Sequence, residues 1–272
     1  MSRAGIVGVA LLAMMPMCAG SAQAAAAKLT AAEIVDRNTA ARGGLAAWQA
    51  VKTLSWSGKM DAGGNNEPRF QAPGMPPPPP PSKVAAEQAQ LPFTLEMQRG
   101  RKSRLEIIFN GQTAVQVYDG TQGWKLRPFL NRKDVEPYTA EELKIAASQA
   151  DLDGVLTDYA AKGTKVELAG TDMVEGKEAY KLKLTLKSGE VRHEWIDATS
   201  FLEVKVEGTP RRLDKKVHAV AVYLRDYKAV NGLQIPHLIE TVVEGVQRTE
   251  KIHIDKVAVN PPLAASRFTK PT

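Results

Sequence analysis

The sequence predicts a mainly β fold with a few helices, an α+β chain in which a curled antiparallel sheet forms a half-barrel and helices cover its concave face. Three observations carry this. Residues 164 to 257 read as one sheet-forming segment after another, and Tyr180-Lys-Leu-Lys-Leu-Thr-Leu-Lys187 alternates apolar and polar side chains without a break, which gives one wet face and one apolar face. Turn pairs such as Asn110-Gly111, Asp119-Gly120, Glu175-Gly176 and Asn231-Gly232 separate neighbouring segments, so the strands join as hairpins in a meander. Two capping boxes, Thr30-Ala-Ala-Glu33 and Thr139-Ala-Glu-Glu142, mark short helices too scattered to form a bundle of their own.

The chain opens with an export signal. Met1-Ser-Arg3 is a cationic lead, Ala4 to Ala19 is an apolar stretch broken by Pro16, and Ala22-Gln-Ala24 supplies the small residues of a cleavage site. Residues 1–24 are read as the signal peptide and 25–272 as one domain in the periplasm. The apolar stretch is too short for a membrane span. Cys18, the only cysteine, falls within the signal, which leaves the exported chain without a thiol. Removing Arg3 takes the formal charge from +6 to +5 (35 Lys and Arg against 30 Asp and Glu). Such a small excess keeps a domain soluble and excludes the concentrated basic face of a nucleic-acid binder. The two densest basic groups, Arg99 to Arg104 and Arg211 to Lys216, fall where strand-joining turns are expected and read as solvated hairpin ends, with phospholipid headgroups as the other reading.

The first helix runs from its Thr30 cap to Gly43-Gly44, and a second short one over Leu45 to Val51 carries Trp48 on its apolar side. Leu54, Trp56, Gly58 and Met60 then share a strand face. A low-complexity insertion follows at 63–90, with six prolines from Pro76 to Pro81 that form a stiff polyproline rod. Beyond it, Leu91 to Met97, Leu105 to Phe109, Val115 to Val117 and Trp124 to Leu126 continue the meander. Helix-like sequence interrupts at Thr139 to Ala147 and again at Leu152 to Tyr159, ended by Gly163. The remaining strands bring the total to about eleven or twelve, enough for a strongly curled sheet. Pro236 inside one of them points to an edge or a bulge.

The opening Ala31-Ala-Glu-Ile-Val-Asp-Arg-Asn38 with Ala41-Arg-Gly-Gly44, the central Trp195-Ile-Asp197 with Leu202-Glu-Val204, and the late Leu224-Arg-Asp-Tyr227 with Gly232-Leu-Gln-Ile-Pro236 resemble the outer-membrane lipoprotein-sorting proteins of the LolA/LolB-like superfamily. The likeness extends over nearly all of the exported chain, which is longer than the dedicated carriers because of the proline-rich insertion. It implies a divergent paralogue whose concave face accepts acyl chains of a lipoprotein or another lipid during outer-membrane trafficking. An envelope sensor of the same fold that binds a protein partner is the alternative, and a hydrolase a more distant one. The expected partners are therefore acyl chains, with transient contacts to envelope proteins or the membrane surface, no nucleic acid, and a monomeric state.

An apolar hollow must be filled by helices or by ligand, since an empty one costs roughly 24 cal/mol per Å³, whereas an acyl chain contributes about 0.8 kcal/mol per buried methylene. The helices are thus expected to act as a movable lid over a cavity lined by Trp56, Leu95, Ile107, Val117, Trp124, Leu182, Leu184 and Trp195. No catalytic residue, metal site or cofactor is expected. The chain lacks a Gly-x-Ser-x-Gly elbow and a phosphate-cradling loop. His193 and Glu194 are strand neighbours that point to opposite faces and cannot share a metal, and His218, His237 and His253 have no acidic partner at useful spacing.

Overall fold

In a computed structural model, residues 29–62, 89–128 and 132–272 are described. The expected signal peptide 1–24, with Cys18, and the prolines 76–81 lie outside the described residues. Of the expected insertion 63–90, the last two residues already belong to a strand.

Among the described residues the chain forms helices α1 (Ala31–Ala41) and α2 (Leu45–Ala50), and strands β1 (Thr53–Ala62), β2 (Ala89–Gln98), β3 (Lys102–Phe109), β4 (Gln112–Tyr118), β5 (Gly123–Arg127) and β6 (Arg132–Pro137). Helix α3 (Ala140–Gln149) comes next, followed by β7 (Lys165–Val174), β8 (Lys177–Thr185), β9 (Val191–Asp197), β10 (Glu203–Glu207), the small hairpin β11 (Arg211–Leu213) and β12 (Lys216–His218), then β13 (Val220–Val230), β14 (Leu233–Val243) and β15 (Glu250–Val259). A 3-10 turn, Ala265–Phe268, closes the chain. Thirteen strands make one antiparallel sheet in the order β6-β5-β4-β3-β2-β1-β15-β14-β13-β10-β9-β8-β7. Every pairing joins strands adjacent in sequence except β1 with β15, which binds the two halves of the sheet together, and β10 with β13. The end strands β6 and β7 do not meet, so the sheet is a half-barrel.

The hairpins form where residues tolerate positive φ. Asn110-Gly111, Glu175-Gly176 and Asn231-Gly232 each place both central residues in the left-handed region, the geometry that matches the twist of two-residue hairpins. Curvature enters at Gly58, where β1 slips register against β15. A Cβ there would lie 1.9 Å from the His253 carbonyl oxygen, so only glycine permits this close approach.

Two helices seal one part of the concave face. Both capping boxes are made as expected, Thr30 with Glu33 and Thr139 with Glu142. Helix α1 buries Ile34 and Val35 against Leu156, Leu182, Leu184 and Ile196. Helix α2 buries Trp48, which packs with Leu54, Met97, Leu233 and Ile235. Pro236 is not on an edge strand: β14 lies inside the sheet. It does lie outside the stretch Leu238–Thr241 that pairs with β15, and there Gln234 donates instead to the carbonyl of Arg42 at 3.1 Å.

Residues 152–163 form consecutive turns and not the expected helix. Gly154 and Asp158 both take positive φ, which breaks a helical ladder, and the segment is tied down by ionic contacts. Lys162 bridges Asp151 at 3.0 Å and Asp153 at 2.6 Å, and Arg99 reaches Asp153 at 2.9 Å. Arg99, expected as a solvated turn residue, thus staples this segment to the carbonyls of Trp48 and Val51.

Candidate functional site

Strand register decides which alternating side chains face inward. Trp56 pairs with Leu95, Leu95 with Leu105, and Leu105 with Gln116, so these four share the concave face. Phe93 and Met97 lie on it too, and Val222, Ile239 and Ile252 continue it across the other half. Together they wall a cavity of about 510 Å³ beneath α3, within the range of small-molecule sites. Its apolar floor is overhung by Ile145 and Ala146 of α3.

α3 differs from the other two helices because none of its residues is buried. It is held chiefly at its ends. Lys125, inward on β5, pairs with Glu142 at 2.5 Å. Burial opposes ionisation of that carboxyl, yet Lys125 and the Thr139 backbone amide outweigh it and hold Glu142 below the usual carboxylate range. The next anchor is Tyr138, whose amide donates to the Gly123 carbonyl at 2.8 Å. Its ring covers Gly123 so closely that a Cβ there would meet it at 2.0 Å, and burial together with the Glu142 charge pushes the phenol up to about 12. At the other end, buried Ala150 and Leu152 lead into the ionic anchor at Asp153.

A second, more polar cavity of about 650 Å³ lies on the other flank of α3, between that helix, β9, β10 and β13. Ile145 and Gln149 of α3 and Val222 of β13 belong to both cavities. Arg192 projects into this one and pairs with the fully buried Glu194 at 3.0 Å. Burial, with Glu203 nearby adding to it, pushes the Glu194 carboxyl up to about 7 against the pull of Arg192 and Arg42.

The eight residues expected to line one cavity divide into three groups. Trp56 and Leu95 line the apolar cavity, and Ile107 shares their face, paired with Phe93 and Ala114 just beyond its wall. Leu182 and Leu184 also face inward but are fully buried beneath α1. Val117, Trp124 and Trp195 lie on the opposite face. Val117 pairs with Arg104 and Trp124, on the side where Arg267 of the C-terminal turn bonds Glu96 and Glu106. Trp195 pairs with Lys181 and Lys205, whose ammonium groups sit over its ring at 5.2 and 4.2 Å, while its indole donates to Asp172 at 3.2 Å. Alternation gives two faces per strand, but only pairing between strands says which face is common. The residues missed were Lys125, Tyr138, Glu142, Ile145 and Arg192; the capping box at Thr139 was the one signal in the sequence that marked the helix carrying two of them.

His218 departs from expectation, and His193 also has an acidic neighbour. His218 meets Asp214 at 3.0 Å across the β11–β12 hairpin, and His193 meets Glu207 at 2.9 Å from the neighbouring β10. The hairpin turn and the β9–β10 pairing supply acidic partners that linear spacing did not show. Among the described residues no group of three His, Cys, Asp or Glu side chains is placed to hold a metal ion, and no helix is long and apolar enough to cross a membrane.

A helix-lidded antiparallel half-barrel defines the class, and solved structures share it. A LolA superfamily protein from Nitrosomonas europaea is 12% identical, with a TM-score of 0.54, over 89% of this chain and 99% of its own. A domain assigned as an outer membrane lipoprotein-sorting protein from Vibrio parahaemolyticus is 12% identical at 0.54, over 88% and 95%. A DUF1329 family protein from Desulfovibrio piger is 11% identical at 0.56, over 88% and 97%. The chain shares the fold of these proteins at 11–12% sequence identity. No family model matches the sequence, and no curated protein matches it.

Proposed function

We propose that the chain is a binding protein and not an enzyme, holding the acyl chains of a lipid or lipoprotein in the apolar cavity as a carrier in the periplasm. The observation that carries this reading is the 510 Å³ apolar hollow beneath a helix that buries none of its own residues. The cavity is open, so without a guest its apolar wall stands against water, and a hydrocarbon guest gains about 0.8 kcal/mol for each methylene it buries there. The shared fold with lipoprotein-sorting domains and the export signal fit an envelope location.

Native mass spectrometry of the gently purified exported chain tests it. A lipid adduct that is released on denaturation is expected, and Leu95→Asp, which puts a charge on the cavity wall, should lose it. A chain that carries a stoichiometric protein and no lipid would instead be the partner-binding sensor.

A further inference from the structure

The two cavities on either side of α3 differ in chemistry, and Ile145, Gln149 and Val222 belong to both of their walls. We propose that the ligand is an anionic amphiphile lying beneath α3, with its hydrocarbon chain in the apolar cavity and its carboxylate or phosphate head at Arg192 in the polar one. This deepens the acyl-binding reading and rests on it.

The head position follows from what surrounds Arg192. Val206 pairs with both Glu194 and Val222, which places Arg192, two residues from Glu194 on the same strand, on the inward face. Glu207, the next residue on β10, is turned to the opposite face, where it accepts from the His193 amide at 2.8 Å. Lys144, Glu141 and Glu190 stand exposed at the mouth. Arg192 is therefore the ionic group inside. One guanidinium nitrogen meets Glu194 at 3.0 Å, while its Nε is buried without a hydrogen-bond partner among the described residues. The Arg192 side chain keeps 22% of its surface exposed, and an anionic oxygen is the acceptor that best engages a guanidinium reached from the cavity.

Glu194 does not remove that need. Burial pushes its carboxyl up to about 7, so near neutral pH the carboxyl is charged only part of the time and the guanidinium is incompletely balanced. When Arg192 instead binds an external anion, Glu194 can take up a proton and leave no uncompensated charge behind.

The experiment is displacement of a fluorescent fatty acid from the delipidated exported chain by three competitors of equal length: hexadecanoate, hexadecyl phosphate and hexadecanol. The two anions should compete about tenfold or more better than the alcohol, the advantage of a charge-assisted hydrogen bond. Arg192→Met should erase that preference, bringing both anions to the level of hexadecanol. Should this variant fold poorly, Arg192→Met with Glu194→Gln removes both charges and reads the same preference. Equal competition by all three in the wild type, or a preference that survives loss of Arg192, overturns the proposal. Displacement by inorganic phosphate alone also overturns it, because the site would then serve a free ion. If no competitor and no probe binds at all, the acyl-binding reading fails first, an outcome distinct from binding without headgroup preference.

Discussion

Glu194 is the residue at which charge and burial collide. Its folded-state carboxyl titrates near 7 against an ordinary value of 4.5, so between these values the folded chain holds a proton that the unfolded chain has released. Stability tied to this group is thus fully present below about pH 4.5 and is lost as pH rises through 7. The groups facing it are Glu203, Arg192 and Arg42, and the shift corresponds to roughly 3 kcal/mol at most. Glu194→Gln should flatten the fall in unfolding free energy between about pH 5 and 8 in urea titrations; an unchanged slope would show that the proton is taken up elsewhere. Nothing in the segment Val191 to Asp197 announced this residue, because its partners Glu203 and Arg42 arrive through sheet pairing and through α1.

At the scale of elements, the three helices divide by what they bury. Helix α1 is legible from its capping box and Gly43-Gly44 stop, α2 only from its apolar side around Trp48, and both seat apolar side chains fully. The cap of α3 was equally readable, but its looseness was not, since Leu143, Ile145 and Ala146 supply an apolar face that would suit a sealed helix. Thr139→Ala removes the N-cap, which costs about 1 kcal/mol. With no residue buried, α3 has little packing to resist the loss. Hydrogen exchange across 140–149 should therefore speed up several-fold while β8 and β9 stay protected. Equal acceleration of those strands would mean that α3 is part of the common core. The hydrophobic spacing over 152–163 is helical, but Gly154 and Asp158 take positive φ, and Arg99 and Lys162 hold the segment through Asp151 and Asp153.

The whole molecule is two concave regions on one sheet, a sealed one under α1 and an open one under α3. Leucines that look alike in sequence therefore have different jobs. Leu184→Ala, in the sealed region, should destabilise by about 2–5 kcal/mol and leave lipid affinity intact in the fraction that remains folded. Leu95→Ala, on the cavity wall, should weaken binding of a fluorescent fatty acid several-fold with a smaller loss of stability. Thermal unfolding and probe titration of the two variants separate these roles, and the same rank order in both assays would contradict the division.

By itself the sequence determined the antiparallel meander, its hairpin turns and the capping boxes of α1 and α3, because each is set by residues close together along the chain. The tertiary structure alone decided that β1 pairs with β15, that Val117, Trp124 and Trp195 face away from Trp56 and Leu95, and that Arg192 lies behind α3. Side-chain alternation has a period of two and no label for inside or outside. That label comes from long-range strand register and from which helix lands on which face, and both are settled by packing across the whole sheet.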